Sequence, residues 1–238
     1  MRKTALIAFP VALLGALAFT FAAAGGGNAR SLDVSRTADA PSVHYRVMVT
    51  LTHAQNPMTL EIAGGATRDK LVAHLAMGMQ AASIMRDPHF VYEGAPRGIV
   101  VLGGVKWLRL RIDGMPQHSH VFSTLRSLTP SPLLSVVSEA KLQPVGAHGF
   151  TGPVAYDDPV VRTALHQLGG GFEFRGLRVR IVVGKDGRIH NLLLTGRTAD
   201  HSTSLSLHAR LFGFGAPVRV QPPKPGTFMD PDLAKFQS

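Results

Sequence analysis

The chain has 238 residues, among them 11 histidines and 15 acidic residues, and it has no cysteine. Without a thiol there is no disulfide, no thiolate zinc site and no cysteine nucleophile. His118-Ser119-His120, if extended, would throw both imidazoles to one side, as a metal pair requires. Pro116, Gln117 and Ser123 flank it as a solvated loop, and Asp113 is the one carboxylate near it in sequence, so surface histidines are the better reading. Asp157-Asp158 stands before Pro159 and an apolar helical pattern. Capping and the helix dipole account for that pair more simply than acid–base work. There is no Gly-x-Ser-x-Gly elbow, no His-Glu-x-x-His and no phosphate loop, and Gly169-Gly170-Gly171 follows a helix where a dinucleotide fingerprint must precede one. The expectation is a non-enzymatic protein with no catalytic residue, no metal and no cofactor; a hydrolase with an unrecognised His/Asp arrangement is the remaining enzymatic alternative.

The elements that would position any site are mostly strands. From Ser42 to His53 the odd positions Val43, Tyr45, Val47, Val49 and Leu51 are apolar, the period of a half-buried strand. Gln55-Asn56-Pro57 turns the chain, and Met58, Leu60 and Ile62 alternate until Gly64-Gly65, which is expected to break the run. A third strand carries Leu71, Leu75, Met77 and Met79, giving an antiparallel meander. Gln80 to Arg97 shows no clear period. Ile99–Leu102 and Val105–Ile112 then flank Gly103-Gly104 as a hairpin, with Trp107 between Lys106 and Arg109. Two short helices are expected, Leu133–Lys141 after Ser131-Pro132, and a second opened by Asp158-Pro159 and ended by Gly169. Three more strands follow at 176–183, 188–197 and 203–212, and Pro217, Pro222, Pro223 and Pro225 lay the tail along the surface.

The chain is basic, with 25 Lys+Arg and a formal charge of +10, and at 45% hydrophobic and 17% charged residues it is not a disordered polyelectrolyte. Arg2 and Lys3 precede an uncharged run from Thr4 to Ala24 that ends in small residues, so residues 1–29 are expected to be a secretory signal peptide or, since the run is long enough to span a bilayer, an uncleaved N-terminal membrane anchor. Residues 30–41 would be a tether, 42–228 one domain and 229–238 a tail. An exported basic protein meets anionic lipid and cell-wall polymer before nucleic acid.

The opening strand Ser42-Val43-His44-Tyr45-Arg46-Val47, the strand Lys106-Trp107-Leu108, the Pro-Ser-Pro-Leu-Leu helix, the Lys-Asp-Gly-Arg-Ile turn at 185–189 and the closing Phe214-Gly215-Ala216-Pro217-Val218-Arg219-Val220-Gln221-Pro222-Pro223 together resemble the actinobacterial LppX/LprG-type lipoproteins of the LolA-like superfamily, over about Ser42 to Phe228. The resemblance implies an α+β fold, a curved antiparallel half-barrel sheet with short helices covering its open mouth, and an apolar cavity for acyl chains. Those lipoproteins carry a lipidated cysteine just after the leader. Here that region is Phe19-Thr20-Phe21-Ala22-Ala23-Ala24-Gly25, so acyl anchoring is excluded.

On this reading Val47, Val49, Leu60, Leu75, Met77, Val101 and Trp107 line the concave face, with Leu134, Val137 and Leu165 on the covering helices. Gly and Met on apolar faces suit a deformable lining, although an apolar strand face is also how a solid core looks. Arg178, Arg180, His208 and Arg210 alternate with apolar residues and face outward, where Arg188 and His190 could join them; Arg178, Arg180 and Arg210 would meet an anionic membrane surface, or simply keep a sheet face in water. The expected function is an extracytoplasmic lipid-binding protein, a monomer that carries or senses an acylated envelope lipid or glycolipid. The alternative is an envelope interaction or sensor domain of the same fold with a solid core and a protein or polymer partner. Nucleic acid is disfavoured by the leader and by the lack of aromatics among these arginines.

The leader gives a direct test. The mature amino terminus is expected between Gly25 and Arg30, unmodified and in a soluble envelope or culture fraction; amino-terminal sequencing that recovers intact Met1 from membranes would show an anchor instead.

Overall fold

The computed structural model describes residues 32–94, 106–116, 119–167 and 173–230. The expected leader, Val101, the Gly103-Gly104 turn, His118, the Gly169–Gly171 helix end and the end of the tail lie outside the described residues. The strands are β1 Ser42–His53, β2 Asn56–Thr67, β3 Leu71–Met77, β4 Gln80–Arg86, β5 Phe90–Gly94, β6 Trp107–Arg111, β7 Gln143–Val145, β8 Gly149–Pro153, β9 Phe174–Val183, β10 Ile189–Thr198, β11 Thr203–Phe212 and β12 Phe228–Met229. The helices are α1 Ser35–Ala38, α2 His120–Ser127, α3 Ser131–Ser138 and α4 Pro159–Gln167. All twelve strands form one curved, unclosed sheet in the order β12-β6-β5-β4-β3-β2-β1-β11-β10-β9-β8-β7. Every described pairing is antiparallel except β12 with β6.

Several elements depart from the sequence reading. The first turn is Ala54-Gln55, since His53 pairs with Asn56. Gly64 and Gly65 do not break β2 but continue its ladder to Thr67. They are glycine because a Cβ on Gly64 would lie 2.1 Å from the Val72 carbonyl oxygen and 3.0 Å from the Tyr45 hydroxyl. The stretch without a period contains β4 and β5. His120 starts α2 rather than lying in an extended loop. The expected tether contains α1, whose Thr37 is buried and accepts a 2.9 Å hydrogen bond from the Ile189 amide, so residues 35–38 dock on β10. Leu32 and Val34 also pack against the core, which a free linker would not do.

One face of the sheet carries the core. On β1, β11, β10 and β9 it includes Val49, Leu207, Leu194 and Val179, each at most 4% exposed. The same cluster takes in Leu133, Val136 and Val137 of α3, Val161, Ala164 and Leu165 of α4 and Phe122 and Leu125 of α2. Asp158 caps α4, its Oδ1 accepting from the Val160 amide at 2.8 Å. At the boundary Tyr45 is 1% exposed and its hydroxyl donates to the Leu128 carbonyl just beyond α2, tying helices to sheet. Burial pushes that phenol well above its ordinary value.

The opposite, outer face is crossed by the tail. Ser42 Oγ donates to the Ala216 carbonyl at 2.6 Å, Val218 packs beside Gly65, and Arg109 binds both carboxylate oxygens of Asp230 while lying over the rings of Phe90 and Phe228 at 4.8 and 4.2 Å.

The close approach at Gly64 gives a test of the β2–β3 register. Gly64→Ala drives a methyl onto a backbone carbonyl that cannot move without opening the ladder, so denaturant unfolding is expected to show a loss of about 1 to 3 kcal/mol. An unchanged midpoint would contradict the pairing of Gly64 with Ala73.

Candidate functional site

Residues directly opposite in the ladders share a face. One row therefore runs Tyr45, Gly64, Ala73, Ile84, Glu93 and Leu108 across the inner face. Below it lie Val47, Ile62, Leu75 and Ala82, then Val49, Leu60 and Met77, then Leu51 and Met58. Above it lie Val43, Ala66, Leu71, Arg86, Val91 and Leu110.

Burial divides these rows. Val47 and Val49 are 3% and 4% exposed, but Leu60, Leu75, Met77 and Ala82 along the same rows, and Ile84 in the row of Tyr45, are only half-buried. Met58 and Leu108 are 54% and 37% exposed. The upper row is closed by α2, which brings Phe122 under the Arg86 guanidinium at 5.0 Å. The lower rows on β2 to β4, with Ile84 and Leu108 of the Tyr45 row, thus form an apolar shelf at the edge of the core.

The expected lining separates accordingly. Val47, Val49, Val137 and Leu165 are in the packed core, 1 to 4% exposed, where they fill space rather than line it. Leu60, Leu75 and Met77 stand together on the shelf, and Leu134 of α3 is half-buried against the core. Trp107 is not on the concave face. It pairs with Gly94, which pairs with Ser83, and that row ends at the exposed Arg46, so the indole is on the outer side, stacked over Gly94 and beside the tail. The alternation of Trp107, Arg109 and Arg111 against Leu108, Leu110 and Ile112 held that answer. Val101 lies outside the described residues.

Two charged groups interrupt the inner face. Arg86 has its Nε buried without a hydrogen-bond partner, and Nη1 reaches the Arg68 carbonyl at 3.5 Å. Burial holds its guanidinium below the usual range, partly offset by Asp69. Glu93, two residues from Arg86's partner Val91, has its carboxyl raised by desolvation alone. Sequence reasoning missed both, because neither strand was recognised. The shelf is an apolar surface with the Arg86 guanidinium and the Glu93 carboxyl, the latter raised by desolvation, at its border.

The outer face of the other arm is basic. Arg178, Arg180 and Arg210 are all exposed; the first two are neighbours on β9, and Arg210 stands two strands away on β11. Arg188 and His190 do not join them, being engaged with Asp186 at 3.6 and 3.1 Å. The same face exposes Met48, Val182 and Phe212 by 42 to 45%. Phe212 lies beside Arg210, its ring centroid 5.7 Å from the guanidinium carbon, so an aromatic does stand among these arginines, contrary to the sequence reading. Among the described residues no three His, Asp or Glu side chains gather as a metal site, and no helix is long and apolar enough to cross a membrane.

No protein-family model and no curated protein matches this chain. Solved structures do. MucB in complex with MucA(peri) aligns at 11% identity and a TM-score of 0.32, over 81% of this chain and 59% of MucB, so this chain spans about three fifths of that protein. A DUF1329 family protein from Desulfovibrio piger aligns at 7% identity and a TM-score of 0.30, covering 78% of this chain and 90% of its own. A putative outer membrane lipoprotein-sorting protein domain from Vibrio parahaemolyticus gives 8% identity, a TM-score of 0.27 and the same two coverages.

The division between core and shelf is measurable. Val49→Trp overpacks a filled site and is expected to cost about 1 to 3 kcal/mol, whereas Met77→Trp, on the half-buried shelf, leaves the melting temperature within the scatter expected of a surface change. Equal losses from both would show that the core extends unbroken across β3.

Proposed function

We propose that this chain is a non-enzymatic, extracytoplasmic protein that carries or senses an acylated envelope lipid or glycolipid, the role that the LppX/LprG resemblance implies. The observation that carries the reading is the apolar shelf of Met58, Leu60, Leu75, Met77, Ala82, Ile84 and Leu108, left partly open to water on the inner face of a curved sheet. Each methylene of an acyl chain laid there gains about 0.8 kcal/mol when it is fully removed from water, so a chain half covered over its length still binds. Two methionines let the surface follow chains of different shape. The ligand lies on an open shelf rather than in a slot under the helices, because α3 and α4 already fill the space above β1 and β9 to β11 with buried side chains.

The exposed arginines suit a second contact. Arg178, Arg180 and Arg210, with Phe212, Met48 and Val182 among them, present charge and apolar tips together to an anionic bilayer. They are on the face opposite the shelf. A protein held by them keeps its shelf turned away from that bilayer and free for a partner, which favours handing over or sensing a lipid.

The filled centre of the inner face also favours a second reading, an envelope interaction or sensor domain of the same fold, in which the shelf takes the apolar side of a protein segment.

A fluorescent fatty-acid probe separates the two. Binding at micromolar concentration, lost in Leu75→Arg and Met77→Arg while the melting temperature holds, is the result expected for a lipid shelf; no binding, or binding indifferent to both substitutions, favours the protein partner. Independently, attachment to anionic liposomes is expected to fall steeply with salt and to weaken when Arg178, Arg180 and Arg210 are all changed to Gln. Equal attachment to neutral liposomes would reduce these arginines to a solvated surface.

A further inference from the structure

At the end of the sheet away from the tail, β9 and β10 lose register between Thr195 and Arg197, and the irregularity sets Arg197 directly opposite Arg175. Like charges facing each other across a ladder repel, and such pairs persist where something else compensates them. No carboxylate among the described residues makes an ion pair with either. The nearest acids in sequence are Glu173 and Asp200, and Asp200 is occupied: its Oδ1 accepts from the Thr198 hydroxyl and the Ser202 amide, which hold the carboxyl down at about 2.

Between the two arginines the surface sinks into an open hollow of about 640 Å³, lined by Arg175, Arg197, His201, Thr195, Ser204 and Gly176 among others. Among the described residues the Thr195 and Ser204 hydroxyls donate to no protein acceptor, and Thr195 pairs across the ladder with Arg178. Gly176, in the lining, adopts φ +60°, a left-handed conformation that favours glycine.

We propose that this hollow is a phosphate-binding site, in which one phosphate group bridges Arg175 and Arg197 and accepts from the Thr195 and Ser204 hydroxyls. Guanidinium forks match phosphate oxygens in pairs, and three or four acceptor oxygens can serve two arginines and a hydroxyl at once where a carboxylate's two cannot. The charge relieves the repulsion that the bulge imposes. The site is separate from the acyl shelf, which lies on the other face and the other arm, and its existence does not rest on that reading. The phosphate can belong to a lipid headgroup or to a soluble phosphate ester; both present the same oxygens.

The test is a nuclear magnetic resonance titration of the full chain with inorganic phosphate, with sodium chloride at matched ionic strength as the reference. Saturable shifts are expected at the amides of Gly176, Gly196, Arg197 and His201, with affinity at least tenfold weaker in Arg175→Gln and in Arg197→Gln. Arg197→Gln is also expected to melt no lower than the parent in chloride, since it removes a like-charge pair, and to lose the rise in melting temperature that phosphate gives the parent. A preference of tenfold or more for dihexanoyl phosphatidic acid over glycerol phosphate assigns the group to a lipid headgroup, and equal affinity assigns it to a soluble ester. Shifts that fail to saturate, that chloride reproduces, or that survive when Arg175→Gln and Arg197→Gln are combined overturn the site.

Discussion

Among the described residues the three helices over the inner face, α2, α3 and α4, cannot roof a twelve-stranded sheet, and most of what is particular to this protein follows from that mismatch. With neighbouring strands about 4.8 Å apart the sheet is roughly 50 Å across. Helices of eight or nine residues are only about 12 to 14 Å long, and packed side by side at about 8 to 10 Å they cover little more than half that width. The covered half becomes a core in which Val179, Ile181, Leu194 and Leu207 are essentially sealed. The other half keeps the same alternation of side chains, and among the described residues no helix beyond the reach of α2 covers it.

The boundary between the halves is held by specific contacts. Tyr45, on the central strand, reaches through the inner face to the Leu128 carbonyl, and the glycine opposite it makes room for the phenol. Phe122 carries α2 out over Arg86 on β4. Beyond that reach the apolar rows of β2 to β6 stay half wet. The outer face has the inverse asymmetry. There the tail covers the β5–β6 arm, with Arg109 clamped between two rings and a carboxylate, and leaves the β9–β11 arm bare and basic. Each arm is therefore closed on one side and open on the other, and the two open surfaces differ in chemistry, one apolar and one cationic.

What was legible in the sequence was whatever period alone decides. β1 was bounded correctly because five apolar residues alternate without interruption, and β11 because Leu205, Leu207, Ala209 and Leu211 do the same. β4 was invisible because Gln-Ala-Ala-Ser-Ile-Met-Arg has small residues on both faces, and β7 and β8 because their prolines and glycines look like loop. The serines, threonine and histidine of α2 hid a helix whose Phe122 and Leu125 are buried. Trp107 was placed on the wrong side because its size outweighed its parity. The site itself was legible only in part. Leu60, Leu75 and Met77 were identified as inward-facing, but which inward residues end in core and which on an open shelf depends on how far the helices reach, and no local pattern records that.

The central claim is that the uncovered arm of the inner face holds an acyl chain. Native mass spectrometry of the purified full chain tests it most directly. The account expects a bound mass matching one acylated lipid, removable by organic extraction and absent from Met77→Arg; a bare polypeptide mass under gentle ionisation, in the parent as in the variant, would contradict it.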